Sequence, residues 1–324
     1  MSFYIARFKD IEQREFEVEI VTPLFLGGSD PKKGELRTAS IKGALRFWWR
    51  ALYGCDDLED MKKRESEIFG STEKKSNLKI TLNGLEKIKG VIADLPQGLK
   101  IPTQSKGKTF PISIIEYLAF GLCEFKKEQR KNVYTKEHIS AGTKFSVAFK
   151  YNKAFEEDIL NAFKALVTYG GLGSHSRNGF GSVTIDAESY PIIRKGDLKS
   201  FSAISSHVCI FNKFDEKSTW VDALSEIGNA YREARLSIEQ RHGFTKRALI
   251  AMPIEAKGEN IPDYIRRGRH SKPYYLHVNK LPNCKYQGQI LFMPYNYEQP
   301  KRKEYFEVCN KMNEKLAQIS GGAR

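Results

Sequence analysis

The chain has 324 residues, of which 40% are hydrophobic and 12% aromatic, and its formal net charge is +14. This composition is that of a globular protein, and the length favours two domains over one. No apolar stretch approaches the length needed to cross a bilayer, so we expect a soluble protein that does not associate with a membrane. The excess of basic residues favours nucleic acid or another polyanion as the partner.

The cysteines indicate a reducing compartment. There are five, an odd number, and they are far apart and never spaced as Cys-x-x-Cys. They therefore predict reduced thiols rather than a disulfide framework or a zinc site. The N-terminal residues Met1 to Tyr4 include no basic-then-apolar leader, so we expect a cytoplasmic protein.

Strands and helices alternate along the first half of the chain. Polar and apolar residues alternate from Glu15 to Val21, which predicts a strand. A helix is predicted from Ile41 to Tyr53, with Ser40 as its cap and Gly54 after its end. The remaining predicted elements of this half are strands at Leu78–Leu82, Lys144–Phe149 and Ser182–Ile185, and a helix at Phe155–Tyr169.

The resulting order of strand, helix, strand, strand, helix, strand is typical of the ferredoxin-like fold, βαββαβ, in the α+β class. The segment 85–143 is too long for one hairpin and predicts an insertion with a helix near Ile112–Phe120. Proline, glycine and several serines in 189–206 indicate the join between two domains, at 1–190 and 191–324. The pattern of the second half fits a degenerate copy, so we expect two tandem ferredoxin-like, RRM-like domains with a helical insertion in the first.

A glycine-rich loop, residues 170–181, separates the second predicted helix from the strand after it. Its five glycines allow the backbone to approach a flat or anionic ligand closely and to point N–H groups at it. The spacing and the helix–loop–strand order exclude a dinucleotide fingerprint, and the Phe180 that follows Gly179 excludes a Walker loop. The candidate contacts are Gly171, Gly173, His175 and Arg177; the alternative is that the glycines only make tight turns.

The helix at Ile41–Tyr53 separates into an apolar stripe, which includes Trp48, and a row of cations on the opposite flank. The cations are Lys42, Arg46 and Arg50, spaced four residues apart. No acidic residue lies between Lys42 and Gly54, so a polyanion would relieve their repulsion. Trp49 falls at the border of the stripe and offers a ring on which a base could stack. The alternative is a helix whose charged side is solvated.

A second basic cluster lies in the C-terminal half and leads into Tyr274 and Tyr275. Arginine can bind phosphate and stack on bases, which suits single-stranded RNA, although a solvated arm is an equal alternative. The candidate contacts in the cluster are Arg266, Arg267, Arg269 and Lys272.

The six histidines form no metal-ligand spacing, and the only catalytic candidate is a metal-independent ribonuclease that uses His175 or His270 as acid or base.

Three segments together resemble a known family. They are Thr22–Gly28, the run from Arg37 to Arg50 that contains Lys-Gly-Ala-Leu-Arg-Phe-Trp-Trp-Arg, and the glycine-rich loop. They resemble the RAMP proteins of CRISPR systems, and within these the family of first subunits of type III-B Cmr effector complexes. A weaker similarity at Arg269–Leu276 departs from the pattern, because Lys272 precedes Pro273 where serine is expected.

The resemblance implies two ferredoxin-like domains and a place in a crRNA-guided complex that destroys invading RNA in antiviral defence. It implies a subunit that caps one end of the assembly, contacts the 3′ part of the crRNA and the target RNA, and touches other Cmr subunits. Because slicing belongs to another subunit of such complexes, it implies a non-catalytic role without a cofactor. By analogy Arg37, the cation row and Arg177 face RNA, and Phe47 faces a neighbouring subunit. The alternative is a RAMP-type endoribonuclease that processes CRISPR transcripts.

Overall fold

The computed structural model describes residues 10–105, 108–185, 196–240, 243–254 and 260–322. The first half of the chain alternates strands and helices and carries two β-hairpins in the middle. Its elements are β1 (Ile11–Ile20), α1 (Thr38–Tyr53), α2 (Leu58–Phe69), β2 (Lys79–Asn83), β3 (Lys100–Ser105), β4 (Lys108–Ser113), α3 (Ile114–Leu118), β5 (Cys123–Lys126), β6 (Lys131–Tyr134), β7 (Lys144–Asn152), α4 (Glu156–Tyr169) and β8 (Val183–Ile185).

The second half has fewer strands and contains the two longest helices. Its elements are β9 (Cys209–Phe211), β10 (Glu216–Lys217), α5 (Trp220–Leu236), α6 (Thr245–Ile250), α7 (Asp263–Arg267), β11 (Tyr274–Lys280), β12 (Tyr286–Phe292) and α8 (Arg302–Ser320). In the described part of the chain, no helix has the length and apolar character needed to span a membrane.

The first sheet has the strand order β2-β7-β1-β8, with every neighbouring pair antiparallel. β1 and β2 therefore run in the same direction with β7 between them, which is the split βαβ arrangement that the strand and helix order predicts. Alternate residues of β7, from Phe145 to Tyr151, are buried against α1 and α4. The predicted strands and helices of this half are confirmed, including the short helix of the insertion.

The start of α1 and the existence of α2 differ from the prediction. α1 begins at Thr38, and Arg37 rather than Ser40 occupies its N-cap, without a side-chain hydrogen bond. α2 was not predicted, although Asp57 caps it in the usual way by accepting from the N–H groups of Glu59 and Asp60 at 2.8 and 2.9 Å.

The second sheet is also antiparallel, with β12 between β11 on one side and β9 and β10 on the other. The predicted boundary at residues 190 and 191 lies outside the described residues. The hydrophobic core does not divide at this boundary. Ile210, Tyr275 and Leu291 pack into the cluster of the first sheet, whereas Phe25 and Leu118 pack into the cluster that contains α5. The two halves therefore share their cores.

Trp49 is fully buried, and the prediction that it offers a ring for a base to stack on is wrong. Its Nε1 donates to Asp158 Oδ1 of α4 at 2.7 Å, and its ring packs edge-on against Phe69 of α2, 6.2 Å between centroids. The physical reason is α2, which folds over this flank of α1. Trp48 is buried as predicted.

The end of α4 is tied to the second sheet by two side chains that reach its last carbonyls. The Nδ1 of His277, fully buried in β11, donates to the carbonyl oxygen of Gly170 at 2.6 Å. The Nε2 of Gln289 in β12 donates to the carbonyl oxygen of Thr168. These contacts hold the start of the glycine-rich loop against β11.

Replacement of Trp49 by alanine should lower the free energy of unfolding by about 3–5 kcal/mol, because it removes a large, fully buried side chain. Urea unfolding of the purified protein measures this loss. The affinity of the folded variant for single-stranded RNA, the ligand that the sequence predicts, should stay unchanged. The half-buried Trp220 is the matched control, and its replacement by alanine should cost less stability. A Trp49 variant that unfolds like the parent but loses RNA affinity would contradict the burial.

Stability should fall as the pH drops from about 6.5 to about 4, because burial lowers the pKa of His277 from 6.5 to about 4. In that pH range the imidazole of His277 is protonated in the unfolded chain but neutral in the folded chain. Unfolding therefore becomes more favourable by at most roughly 3 kcal/mol. Urea unfolding at several pH values measures the slope. His277→Gln should flatten it, because the imidazole whose pKa is lowered by burial is then absent. Equal slopes for the parent and His277→Gln would refute the assignment.

Candidate nucleic-acid interface

A cleft of about 310 Å³ lies where α1, the glycine-rich loop and β11 meet. The lining residues come from all three elements and from the segment after β1; they are Leu26, Ser40, Ala44, Phe47, Trp48, Gly171, Gly173, Ser176, Arg177 and Tyr275. The cleft thus joins all three sequence segments that carry the family resemblance. It also recruits Tyr275, which follows the second basic cluster.

Arg177 is the cation of this cleft. Its Nη1 donates to the carbonyl oxygen of Lys272 at 2.5 Å, and its Cζ lies 4.6 Å from the ring centroid of Tyr275 and 5.6 Å from that of Phe47. Among the described residues no carboxylate lies within ion-pair distance of Arg177. The guanidinium is therefore held in place by a carbonyl and two aromatic rings while its charge remains unneutralised.

The glycine-rich loop packs closely and also leaves backbone donors at the cleft. Gly173 has a φ of +77°, and a Cβ there would lie 2.3 Å from the carbonyl oxygen of Phe25. This supports the alternative that the glycines serve tight packing. Within the described ranges, however, the N–H groups of Gly171, Gly173, Ser176 and Arg177 have no backbone acceptor. Several N–H groups without a backbone acceptor in one loop favour an anion.

The N-terminus of α1 adds further positive charge. The first turn of α1 holds no acidic residue, and the N-cap residue Arg37 makes no side-chain capping bond. Lys42, one turn along, has its pKa lowered by partial burial and, to a smaller extent, by the charge of Arg46. Neither Arg37 nor Lys42 forms an ion pair with a carboxylate in the part of the chain that the structure describes. The helix dipole and these two cations act in the same direction.

Arg46 and Arg50 share one carboxylate, that of the buried Glu65 in α2. The Nε of Arg46 lies 3.6 Å from Glu65 Oε1, and the Nη2 of Arg50 donates to the same oxygen at 2.8 Å. Arg46 also donates to the carbonyl oxygen of Phe69 at 3.1 Å and to that of Gly70. The segment Lys42–Gly54 contains no acidic residue, as the sequence shows, but α2 supplies an acidic partner to the cation row.

The row nonetheless stays positive. Its three cations face a single carboxylate, and the side chains of Arg46 and Arg50 remain 34% and 49% exposed. The hydrogen bonds to Glu65 raise the pKa of Arg50, whose guanidinium stays charged. This flank of α1 therefore presents positive charge to solvent. The net charge is smaller than the sequence of α1 alone indicates, because Glu65 neutralises part of it.

Lys272 is buried, and its prediction as a surface contact is wrong. Its Nζ lies 4.0 Å above the ring of Tyr231 in α5 and has no hydrogen-bond partner among the described residues. Burial lowers its pKa well below the usual range, and the charges of Arg177 and Arg235 lower it further. Lys272 packs beneath the cleft because it precedes β11, whose residues face the core.

The other members of the second basic cluster are exposed and lie outside the cleft lining. Arg266 and Arg267 end α7, and Arg267 forms an exposed pair with Asp263 at 3.7 Å. The Nη1 of Arg269 donates to the carbonyl oxygen of Gly268 at 2.9 Å. The structure thus brings Arg177 next to the first half of α1, but it does not bring these three arginines into the same site.

The side chain of His175 contacts the backbone of the insertion. It has a φ of +59°, and its Nε2 lies 2.9 Å from the carbonyl oxygen of Phe120 in the insertion. Burial lowers its pKa, which the contact with Phe120 partly offsets, while Lys272 and Lys136 lower it further. Among the described residues no cluster of His, Cys, Asp or Glu could hold a metal ion.

Sequence reasoning missed three residues that shape the site. Glu65 comes from the helix that was not predicted. The sequence predicts that Phe47 contacts a neighbouring subunit, and it indicates for Tyr275 only that it follows a basic cluster. In the structure the rings of both residues lie next to the guanidinium of Arg177. The helical wheel places Phe47 beside Ser40 and Ala44, and this shared face is the signal that could have indicated the cleft wall.

Comparisons with known proteins support the resemblance. The family model described as the RAMP superfamily matches residues 17–184. Two subunits from Pyrococcus furiosus are similar in sequence: Cmr1-2 is 29% identical over 52% of this chain and 93% of its own length, and Cmr1-1 is 30% identical over 55% of this chain. The match spans about half, 49%, of the length of Cmr1-1.

Two solved structures are similar in fold. A chain in the cryo-EM structure of type III-B Cmr-β bound to cognate target RNA has a TM-score of 0.50 at 13% identity, and covers 95% of this chain and 100% of that one. A chain in the structure of Cmr-β with target RNA and AMPPnP, in the presence of ssDNA, has a TM-score of 0.51 at 16% identity, and covers 93% of this chain and 99% of that one.

Because the family model spans more than half of the sequence, this chain belongs to the RAMP superfamily.

Proposed function

We propose that this protein is a non-catalytic RNA-binding subunit of a type III-B Cmr complex, and that single-stranded RNA lies along the cleft between α1 and the glycine-rich loop. The observation that carries the proposal is Arg177, an unneutralised guanidinium held against Phe47 and Tyr275 at the cleft wall. A cation fixed in this way binds phosphate with little loss of side-chain entropy, and its aromatic neighbours tolerate a base nearby.

The rest of the cleft suits a sugar-phosphate backbone. Gly171, Gly173 and Ser176 supply unpaired N–H groups, and Arg37 and Lys42 extend the positive charge along α1. We assign Arg46 and Arg50 a secondary role, since they share Glu65 and offer less free charge. Arg266, Arg267 and Arg269 form a separate basic surface that suits a more distant part of the same RNA.

The relatives support a place in such a complex. Two of them are named as Cmr subunits, and the structures similar in fold contain target RNA. We propose that the chain caps one end of a cytoplasmic Cmr assembly, contacts the 3′ part of the crRNA and the target RNA, and touches neighbouring Cmr subunits. Two tandem ferredoxin-like domains would give it the architecture common to such subunits.

Replacement of Arg177 by alanine should weaken binding of single-stranded RNA and reduce the slope of log affinity against log salt by about 0.7, the value for one lost phosphate contact. Arg177→Lys should restore the slope but not the full affinity, because lysine lacks the planar fork. Fluorescence anisotropy with a labelled oligonucleotide at several salt concentrations measures both quantities.

The matched control for this change is Arg14→Ala. Arg14 is exposed and pairs with Glu156 at 3.4 Å, at the opposite end of α4 from the glycine-rich loop, roughly 20 Å away. It removes the same charge from the protein without touching the cleft, so the salt slope should not change. Equal slopes for the parent and Arg177→Ala would exclude Arg177 as a phosphate contact.

The non-catalytic part of the proposal predicts that CRISPR repeat RNA stays intact when incubated with the purified protein in a chelator. The Nε2 of His175, the candidate acid or base of the alternative ribonuclease, is engaged by the carbonyl oxygen of Phe120. Denaturing gel electrophoresis over time measures cleavage. Discrete products that disappear in His175→Ala would establish the ribonuclease instead.

A further inference from the structure

One aromatic side chain next to the glycine-rich loop has no packing role. Phe120 is 73% exposed, more than any other large hydrophobic side chain in the described ranges. It follows α3, and Ala119 just before it and Leu122 two residues after it are buried. The backbone beneath the ring is therefore held in the core while the ring itself projects into solvent.

Two hydrogen bonds fix Phe120 relative to the loop. The Nε2 of His175 donates to the carbonyl oxygen of Phe120 at 2.9 Å, and the Nδ2 of Asn178 donates to that of Leu118 at 2.8 Å. Both donors belong to the loop that lines the cleft, and they lie on either side of Arg177. His175 reaches Phe120 from a left-handed conformation, φ +59°, which is uncommon outside glycine. These bonds fix the backbone that carries the ring next to the glycine-rich loop.

Two cations lie on the side of Phe120 that faces the glycine-rich loop. Lys136 lies close enough to His175 to lower its pKa, and Arg177 lies two residues further along the loop. Lys272 also lowers that pKa but is buried, and Glu116 of α3 lies four residues before Phe120. A surface that docks a protein is typically apolar and depleted of charge at its centre, whereas an isolated aromatic ring beside several cations is typical of single-stranded nucleic-acid sites.

A second exposed phenylalanine in the insertion provides a contrast. Phe125, in β5, is 58% exposed, but its neighbours Glu124 and Lys126 pair with each other at 2.5 Å. No contact joins Phe125 to the glycine-rich loop within the described residues. The two rings therefore have similar exposure and different electrostatic surroundings.

We propose that Phe120 is a stacking platform for a base of the RNA whose backbone occupies the cleft. The proposal rests on the proposed function. Stacking on an aromatic side chain is worth about 1–3 kcal/mol per base, which corresponds to a roughly 5- to 100-fold change in affinity. It does not depend on the base, because every base has an aromatic face, and it adds no charge-dependent contact.

The test uses the full chain and two labelled oligonucleotides of equal length, an oligouridine and its abasic counterpart. Phe120→Ala should bind the oligouridine roughly 5- to 100-fold more weakly with an unchanged salt slope, and should bind the abasic strand as the parent does. Phe120→Trp should retain the affinity for oligouridine. Phe125→Ala, the matched control, should behave like the parent on both strands. Thermal unfolding should be unchanged in all three variants, because both side chains are exposed.

The outcomes separate this inference from the proposed function. If the parent binds neither strand, both fail. If the parent binds and Phe120→Ala binds the oligouridine equally well, the inference alone is overturned. An equal loss on the abasic strand also overturns it, because the ring would then act without a base. Unchanged RNA binding with loss of co-purifying Cmr subunits would identify Phe120 as a protein contact.

Discussion

The contact between Gly170 and Trp48 brings together the elements on which the cleft depends. A Cβ at residue 170 would lie 2.5 Å from Nε1 of Trp48, so only glycine allows the end of α4 to approach α1 this closely. The same end of α4 is held from the other side by His277 and Gln289 of the second sheet. The loop that follows has to pass between α1 and β11, and the cleft lies at that crossing.

The distribution of carboxylates then decides which cations are available. Glu65 lies between Arg46 and Arg50 and pairs with two guanidiniums that would otherwise repel each other on one helix flank. Among the described residues, Arg177 is held by a carbonyl oxygen and by aromatic rings, and no carboxylate pairs with it. Because an aromatic face attracts a cation without cancelling its charge, Arg177 keeps its capacity to bind an anion. The packing of α1 against α2 and the proposed binding of RNA therefore use different arginines.

Much of the first half of the fold could be predicted from the sequence, because its strands alternate clearly and its glycines mark where α1 and α4 end. The cation row and the glycine-rich loop were also found from local spacing. The errors have one source: the helical wheel describes a helix by itself. It could not show that α2 covers Trp49 or supplies Glu65, nor that Lys272 lies beneath the cleft, since these depend on contacts between segments distant in sequence. The aromatic neighbours of Arg177 were missed for the same reason.

The hydrophobic clusters that cross the middle of the chain couple its two halves. Leu118 of the insertion packs with α5, while Tyr275 and Leu291 pack with the first sheet, so neither half can lose its structure without exposing apolar surface of the other. Partial melting of one half should therefore be rare, and the whole chain should behave as one cooperative unit. An RNA strand held in the cleft would then protect amide protons throughout the polypeptide from exchange, far beyond the residues that it touches.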